Sequence, residues 1–284
     1  MLTIATRCVV PMLFALGMMA QNARSWSEPF PPHRIAGNLY YVGTRGLASF
    51  LIATPEGHIL INSSLESSVP LIEASITKLG FRFADVKILL VSHAHWDHNA
   101  GSALVKERTG AQYQVMEQDV AVTEDGGKSD FFYGKSPQSL YRPTKVDRVL
   151  HDGDEVKLGG SVLTAHLTAG HTKGCTTWSM KVKEGNQTYD VVIIGSPNVN
   201  AGFQLVNNAK YPTIAEDFAR TFATLKSLHC DIFLGAHGDY YGLERKFALL
   251  AGQGPGIFID SDGYRSYVAG KEKAFLHELE RQRK

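Results

Sequence analysis

Runs of one charge are missing from this chain. Its 29 basic and 28 acidic residues are interspersed and leave a formal charge of +1, so no polyanion-binding stripe is present and a nucleic-acid partner is excluded. Cysteine is scarce as well. The three cysteines, Cys8, Cys175 and Cys230, include no CxxC pair, which excludes a disulfide-built scaffold and a cysteine-ligated zinc ribbon. No internal repeat or Pro/Gly/Ser-rich linker divides the sequence, so one domain is expected over residues 24–284. Long apolar runs are also lacking. The most continuous, Cys8–Ala20, is too short to cross a bilayer and is broken by Pro11 and Gly17. With Arg7 before it and small residues at Ala20 and Ala23 after it, this stretch reads as a secretory signal peptide over residues 1–23. Export to the periplasm without a stable membrane anchor is therefore expected.

What the chain does have is histidine in an unusual concentration. Ser92-His93-Ala94-His95-Trp96-Asp97-His98 packs three imidazoles and a carboxylate into six positions, directly after the apolar run Val86–Val91. Imidazole and carboxylate together suit zinc and similar divalent ions. The apolar run reads as a buried strand. If the chain stays extended beyond it, His93 and His95 share a face and can grip one ion. Asp97 and His98, as neighbours, would then point apart, and a second ion beside the first accommodates them. Two further histidines leave strand-like runs at glycine-rich exits: His171 after Gly170, and His237 between Gly235-Ala236 and Gly238. Both are candidate ligands, whereas His166, set mid-strand among apolar neighbours, reads as a packing histidine.

Around these residues the pattern is mixed. Strands are expected at residues 39–43, 48–54, 58–62, 86–91 and 111–116, and at several places between Arg148 and Ile194, where turn dipeptides recur. Another ends on His237. Helices are expected at residues 69–79 and 99–108, from Thr213 with a capping box to Glu216, and over the tail 271–284. Residues 124–144 form a long loop carrying Phe131, Phe132 and Tyr133, which suggests a functional loop.

His93-Ala94-His95-Trp96-Asp97-His98, with His171 and His237 downstream, resembles the metallo-β-lactamase superfamily. The resemblance implies an α/β fold, a four-layer αβ/βα sandwich of two mixed sheets flanked by helices. It implies two zinc ions, one on His93, His95 and His171, the other on Asp97, His98 and His237. Position 196 narrows the choice. Glyoxalase II-like, lactonase and nuclease relatives carry a bridging aspartate there and two β-lactamase subclasses a cysteine, whereas Ile194-Gly195-Ser196-Pro197-Asn198-Val199-Asn200 is similar to the third subclass of class B enzymes, FEZ-type members above all. That implies a monomeric hydrolase of small β-lactam substrates (penicillins, cephalosporins, carbapenems) that confers antibiotic resistance. Water activated by the metals would attack the lactam carbonyl, with Asp97 orienting it and the second zinc stabilising the departing nitrogen. Ser196, Asn198, Asn200 and Tyr133 become candidate substrate contacts. A thioester or lactone hydrolase of glyoxalase II type and a non-catalytic relative are the competing readings. Such enzymes often pair a cysteine at the Cys230 position with one near the C-terminus, where this chain has Tyr264, so free thiols at Cys175 and Cys230 are expected.

Overall fold

The computed structural model describes residues 25–284; the expected export segment, residues 1–23, lies outside the described residues. Among the described residues twelve strands form two sheets. The first is ordered β1 (His33–Ala36), β2 (Leu39–Tyr41), β3 (Phe50–Thr54), β4 (Gly57–Ile61), β5 (Val86–Leu90), β6 (Gln112–Met116) and β7 (Arg148–Leu150). Antiparallel pairing runs from β1 to β4 and parallel pairing from β4 to β7. The second sheet is ordered β12 (Ile232–Gly235), β11 (Gln187–Ile194), β10 (Thr176–Glu184), β9 (Ser161–Leu167) and β8 (Glu155–Leu158), with only β11 and β12 parallel. The expected pair of mixed sheets is present.

Side-chain alternation explains the layers. Phe50, Ile52, Ile59, Ile61, Ile88 and Leu90 face the second sheet and share one core with Leu163, Ala165, Trp178, Val191 and Ile193. Their in-between neighbours Leu51, Leu60 and Leu89 point the other way, onto helix α1 (Val69–Lys78), which supplies Val69, Ile72 and Ile76. Both faces of these strands are buried, which is why they read as continuous apolar runs. On the outer side of the second sheet lie α5 (Ile214–Ser227), through Ile214, Phe218, Phe222 and Leu225, and α7 (Ser261–Arg283), through Tyr264, Val268 and Phe275. In the chain, α2 (Trp96–Asn99), α3 (Ser102–Thr109) and α4 (Glu117–Glu124) come between α1 and α5, and α6 (Leu243–Gln253) between α5 and α7. Among the described residues no helix is long and apolar enough to cross a membrane.

Several boundaries differ from expectation for local reasons. The helix expected at 99–108 is two pieces, α2 and α3, because the chain turns at Ala100-Gly101. The tail helix starts ten residues earlier than expected, at Ser261, where the Asp260 side chain accepts from Gly263 N and so caps it despite two internal glycines. The capping box at Thr213 does not form; the Thr213 hydroxyl donates to Asp217 instead, at 2.7 Å. Helix α4 carries too little apolar periodicity to be read from sequence, and α6 was not expected although its periodicity is clear.

Cys175 and Cys230 are both buried free thiols, with burial pushing each up to about 12. Tyr264 fills its place by packing rather than bridging: it is buried, stacks edge-on against Phe233 and donates to Leu225 O at 2.6 Å. Thiol titration of denatured, unreduced protein lacking residues 1–23 is expected to find two thiols; none would contradict it. Trp178, 1% exposed, spans the core and donates from Nε1 to Val91 O at 3.3 Å. Trp178→Ala should cost about 3–5 kcal/mol, read from the denaturant midpoint.

Candidate metal centre

The histidine-bearing segments leave strands at one edge of the sandwich. Strand β5 stops at Leu90, and the next residues form an irregular loop rather than more strand. Backbone hydrogen bonds lock that loop: Ser92 N donates to Asn62 Oδ1 at 2.8 Å, and Thr176 N at the start of β10 donates to Ser92 O at 2.7 Å. Asn62 sits at φ 65°, a left-handed conformation that asparagine tolerates better than most residues, and its own amide reaches Ala48 O. Ser63 N and Ser64 N both donate to His98 O at 3.1 Å and so hold α2 against the exit of β4. On the second sheet, His171 stands in the tight connection between β9 and β10, where Gly170 takes φ 131° and a Cβ would lie 2.7 Å from the Phe218 ring. His237 follows β12, with Ala236 N tied to Ile194 O and its carbonyl accepting from Ala48 N, both at 2.9 Å.

These backbones bring all six predicted ligands together. His93, His95 and His171 offer ligand atoms within 4.8 Å of one another, and so do His93, Asp97 and His98. His98 Nε2 lies 3.0 Å from His237 Nε2, and Asp97 Oδ2 lies 3.1 Å from the former and 3.5 Å from the latter. Asp97 and His98 therefore converge instead of pointing apart. The chain is helical at α2, so neighbouring side chains diverge by about 100° rather than 180°. Three of the imidazoles are held neutral. Burial, then His98, His171 and the other facing rings, drive His93 well below its ordinary value. Burial, then His95, lower His171 to about 3, and burial with His98 lowers His237 to about 3. For Asp97 burial alone would raise the carboxyl, but His98, His237 and His95 outweigh it and keep it ionised far below the carboxylate range.

This donor set fits zinc. His171 Nδ1 donates to Asn198 O at 2.8 Å, which leaves Nε2 with a free lone pair. The facing His98 and His237 nitrogens, with Asp97 beside them, have the separations that one ion about 2.0–2.1 Å from each nitrogen requires. His95 Nε2 is 3.4 Å from Asp130 Oδ2, a carboxylate sequence reasoning missed, whose other oxygen accepts from Phe132 N and Tyr133 N and thus ties the aromatic loop to the histidines. Its signal was only an aspartate beside the aromatics. His166 stays outside the cluster, half-buried and bonded to Ser179 Oγ at 2.7 Å.

The cluster floors a cleft of about 930 Å³ walled by Trp26, Trp96, Tyr133, Asn198, Asn200 and Tyr240. Asn200 Nδ2 donates to Tyr133 OH at 3.0 Å, and Asn198 Nδ2 to Tyr240 OH at 2.6 Å. Ser196, expected at the substrate, is 1% exposed and is not among the residues that line the cleft; its hydroxyl lies 3.3 Å from Tyr240 OH, which does line it.

Residues 42–183 match the Metallo-beta-lactamase superfamily. The chain belongs to that superfamily. Among solved structures it is similar to native FEZ-1 metallo-beta-lactamase from Legionella gormanii, at 55% identity and TM-score 0.89, covering 90% of this chain and 98% of that one. It is also similar to the class B3 di-zinc metallo-beta-lactamase LRA-12 from an Alaskan soil metagenome, at 36% identity and TM-score 0.85, covering 89% and 96%. A probable metallo-hydrolase of Burkholderia pseudomallei is 31% identical over 117 residues, which span 41% of this chain and only 37% of that relative. The four-layer architecture of this metallo-β-lactamase superfamily member is the one its relatives share.

The neutral imidazoles carry a pH dependence. An imidazole neutral in the fold down to about pH 3, but protonated below 6.5 when unfolded, binds fewer protons folded across that window. The stability that His171 and His237 contribute is full above pH 6.5 and is lost as the pH falls towards 3. Metal-free protein should therefore melt at progressively lower temperature over this range, and His171→Asn or His237→Asn should flatten the slope. Equal slopes in parent and variants would contradict it.

Proposed function

We propose that the protein hydrolyses the amide bond of penicillins, cephalosporins and carbapenems in the periplasm, with two zinc ions, and thereby confers resistance to them. The observation that carries this reading is the pair of adjoining ligand groups at the floor of the cleft, His93–His95–His171 and Asp97–His98–His237. The similarity to FEZ-1 and LRA-12 over nearly their whole length supports it. Zinc bound there would polarise a carbonyl and lower the pKa of bound water towards neutrality.

The protein's own groups have separable tasks. The five imidazoles hold the ions without adding negative charge, so Asp97 is the single anionic ligand and the floor keeps a net attraction for a substrate carboxylate. Asp97, ionised throughout the working range, accepts a hydrogen bond from the attacking water and orients it. His171 is kept in one tautomer by the Asn198 carbonyl. Tyr133, accepting from Asn200, has its own hydroxyl proton free to donate to the substrate. Trp26, Trp96 and Tyr133 exclude water from one side of the bound ring system. Asn198 acts through His171 and Tyr240, and Ser196 through Tyr240. The export reading rests on residues 1–23 and predicts a processed N-terminus between Gln21 and Trp26.

Purified protein should hydrolyse nitrocefin, benzylpenicillin and imipenem, lose this on chelation and regain it with zinc. Turnover of S-lactoylglutathione alone would replace the reading with a thioesterase. Elemental analysis should find two zinc ions per chain. Asp97→Asn should lower kcat at least about a hundredfold with little change in substrate binding; near-normal kcat in a zinc-replete variant would remove its role.

A further inference from the structure

The two segments that carry the first ligand group meet at one buried carboxylate far from the histidines in sequence. Asp119, in the first turn of α4, is 1% exposed. Its Oδ2 accepts from Ala94 N at 2.9 Å and from the Thr172 hydroxyl at 2.7 Å, and its Oδ1 accepts from Gly174 N at 2.8 Å. Ala94 is the residue between His93 and His95, and Thr172 follows His171. A single side chain thus fixes both loops. The approach is specific: a Cβ on residue 174 would lie 2.6–2.7 Å from Asp119 backbone and side-chain atoms, so only glycine lets that loop reach the carboxylate. Ala94 is held from its other side too, since Tyr141 OH donates to Ala94 O at 2.6 Å. The peptide units between His93 and His95 therefore have little freedom to turn either ring away.

We infer that Asp119 is a positioning residue that presets His93, His95 and His171 for metal capture, acting through the backbone of both loops without touching the ion. The inference rests on the reading that this group binds zinc. A buried carboxylate that accepts three hydrogen bonds and lies between two ligand loops stores its effect in their relative position, because each donor belongs to a loop and none to α4. The isosteric amide in Asp119→Asn turns one acceptor into a donor that faces a backbone N–H in either orientation, Ala94 N or Gly174 N, so one loop must move.

In a His237→Ala, His98→Ala background the triplet His93, His95 and His171 keeps its three nitrogen donors while the second group retains only Asp97, and calorimetric zinc titration of metal-free protein reads the affinity of the triplet. Asp119→Asn in that background is expected to weaken zinc binding about 10- to 100-fold. Thr172→Val removes one donor, leaves the carboxylate and should weaken binding by about 3-fold or more. Asp119→Asn and Thr172→Val combined should bind no worse than Asp119→Asn, because the hydroxyl acts only through that carboxylate. A purely structural role predicts lower melting temperatures with unchanged zinc affinity, and that result in both variants overturns the inference. If Asp119→Asn does not fold, unchanged affinity in Thr172→Val overturns it alone. A folded His237→Ala, His98→Ala parent that takes up no zinc defeats the metal reading itself, a result distinct from the loss of Asp119's role.

Discussion

Everything at the cleft depends on keeping a group of imidazoles buried and a few ångströms apart. His93, His95, His98 and His171 are each less than 7% exposed, and their rings meet at centroid distances of 4.4–4.8 Å. Protonating His93, His171 or His237 would place a cation in a low-dielectric pocket beside other rings that resist it, so burial and the facing rings both favour the form with a free lone pair at these three. The arrangement gives a ready ligand set at the cost of acid sensitivity. It also needs rigid support, because nothing in a cluster of imidazole rings attracts its members to one another strongly.

That support comes from backbone hydrogen bonds between loops rather than from the rings. The loop after β5 is bonded to Asn62 at the end of β4 and to the first residue of β10, so the edge where the two sheets meet is stitched at the histidines. The exit of β12 is stitched in the same way to β11 and to the loop before β3. Parallel strands expose unpaired backbone groups at their carboxyl ends, and here those groups are used to fix the side chains that follow.

The cleft wall repeats the pattern with side chains. Asp130 joins the aromatic loop to His95, and Asn200 joins the turn after β11 to Tyr133 in that same loop. Tyr240 accepts from Asn198 and approaches Ser196, which binds the exit of β12 to the turn after β11. Pieces from four separate stretches of chain thus form a wall whose members cannot move independently.

The metal-seeking chemistry was legible in the residues alone, because imidazole and carboxylate at this density have few other uses and His171 and His237 stand at glycine-marked strand exits. The sheets were legible for a similar reason: strands buried on both faces leave uninterrupted apolar runs such as Val86–Val91. Tertiary structure decided what periodicity cannot encode. It made Asp97 and His98 converge, because a single helical turn at α2 replaces the extended geometry their spacing suggests. It buried Ser196 out of the cleft lining and recruited Asp119 and Asp130, whose links to the ligand loops span 25 to 55 positions along the chain and, for Asp119, are mostly to backbone atoms. Hydrogen bonds that a lone carboxylate accepts from distant amides leave no local pattern, so only the folded chain reveals them.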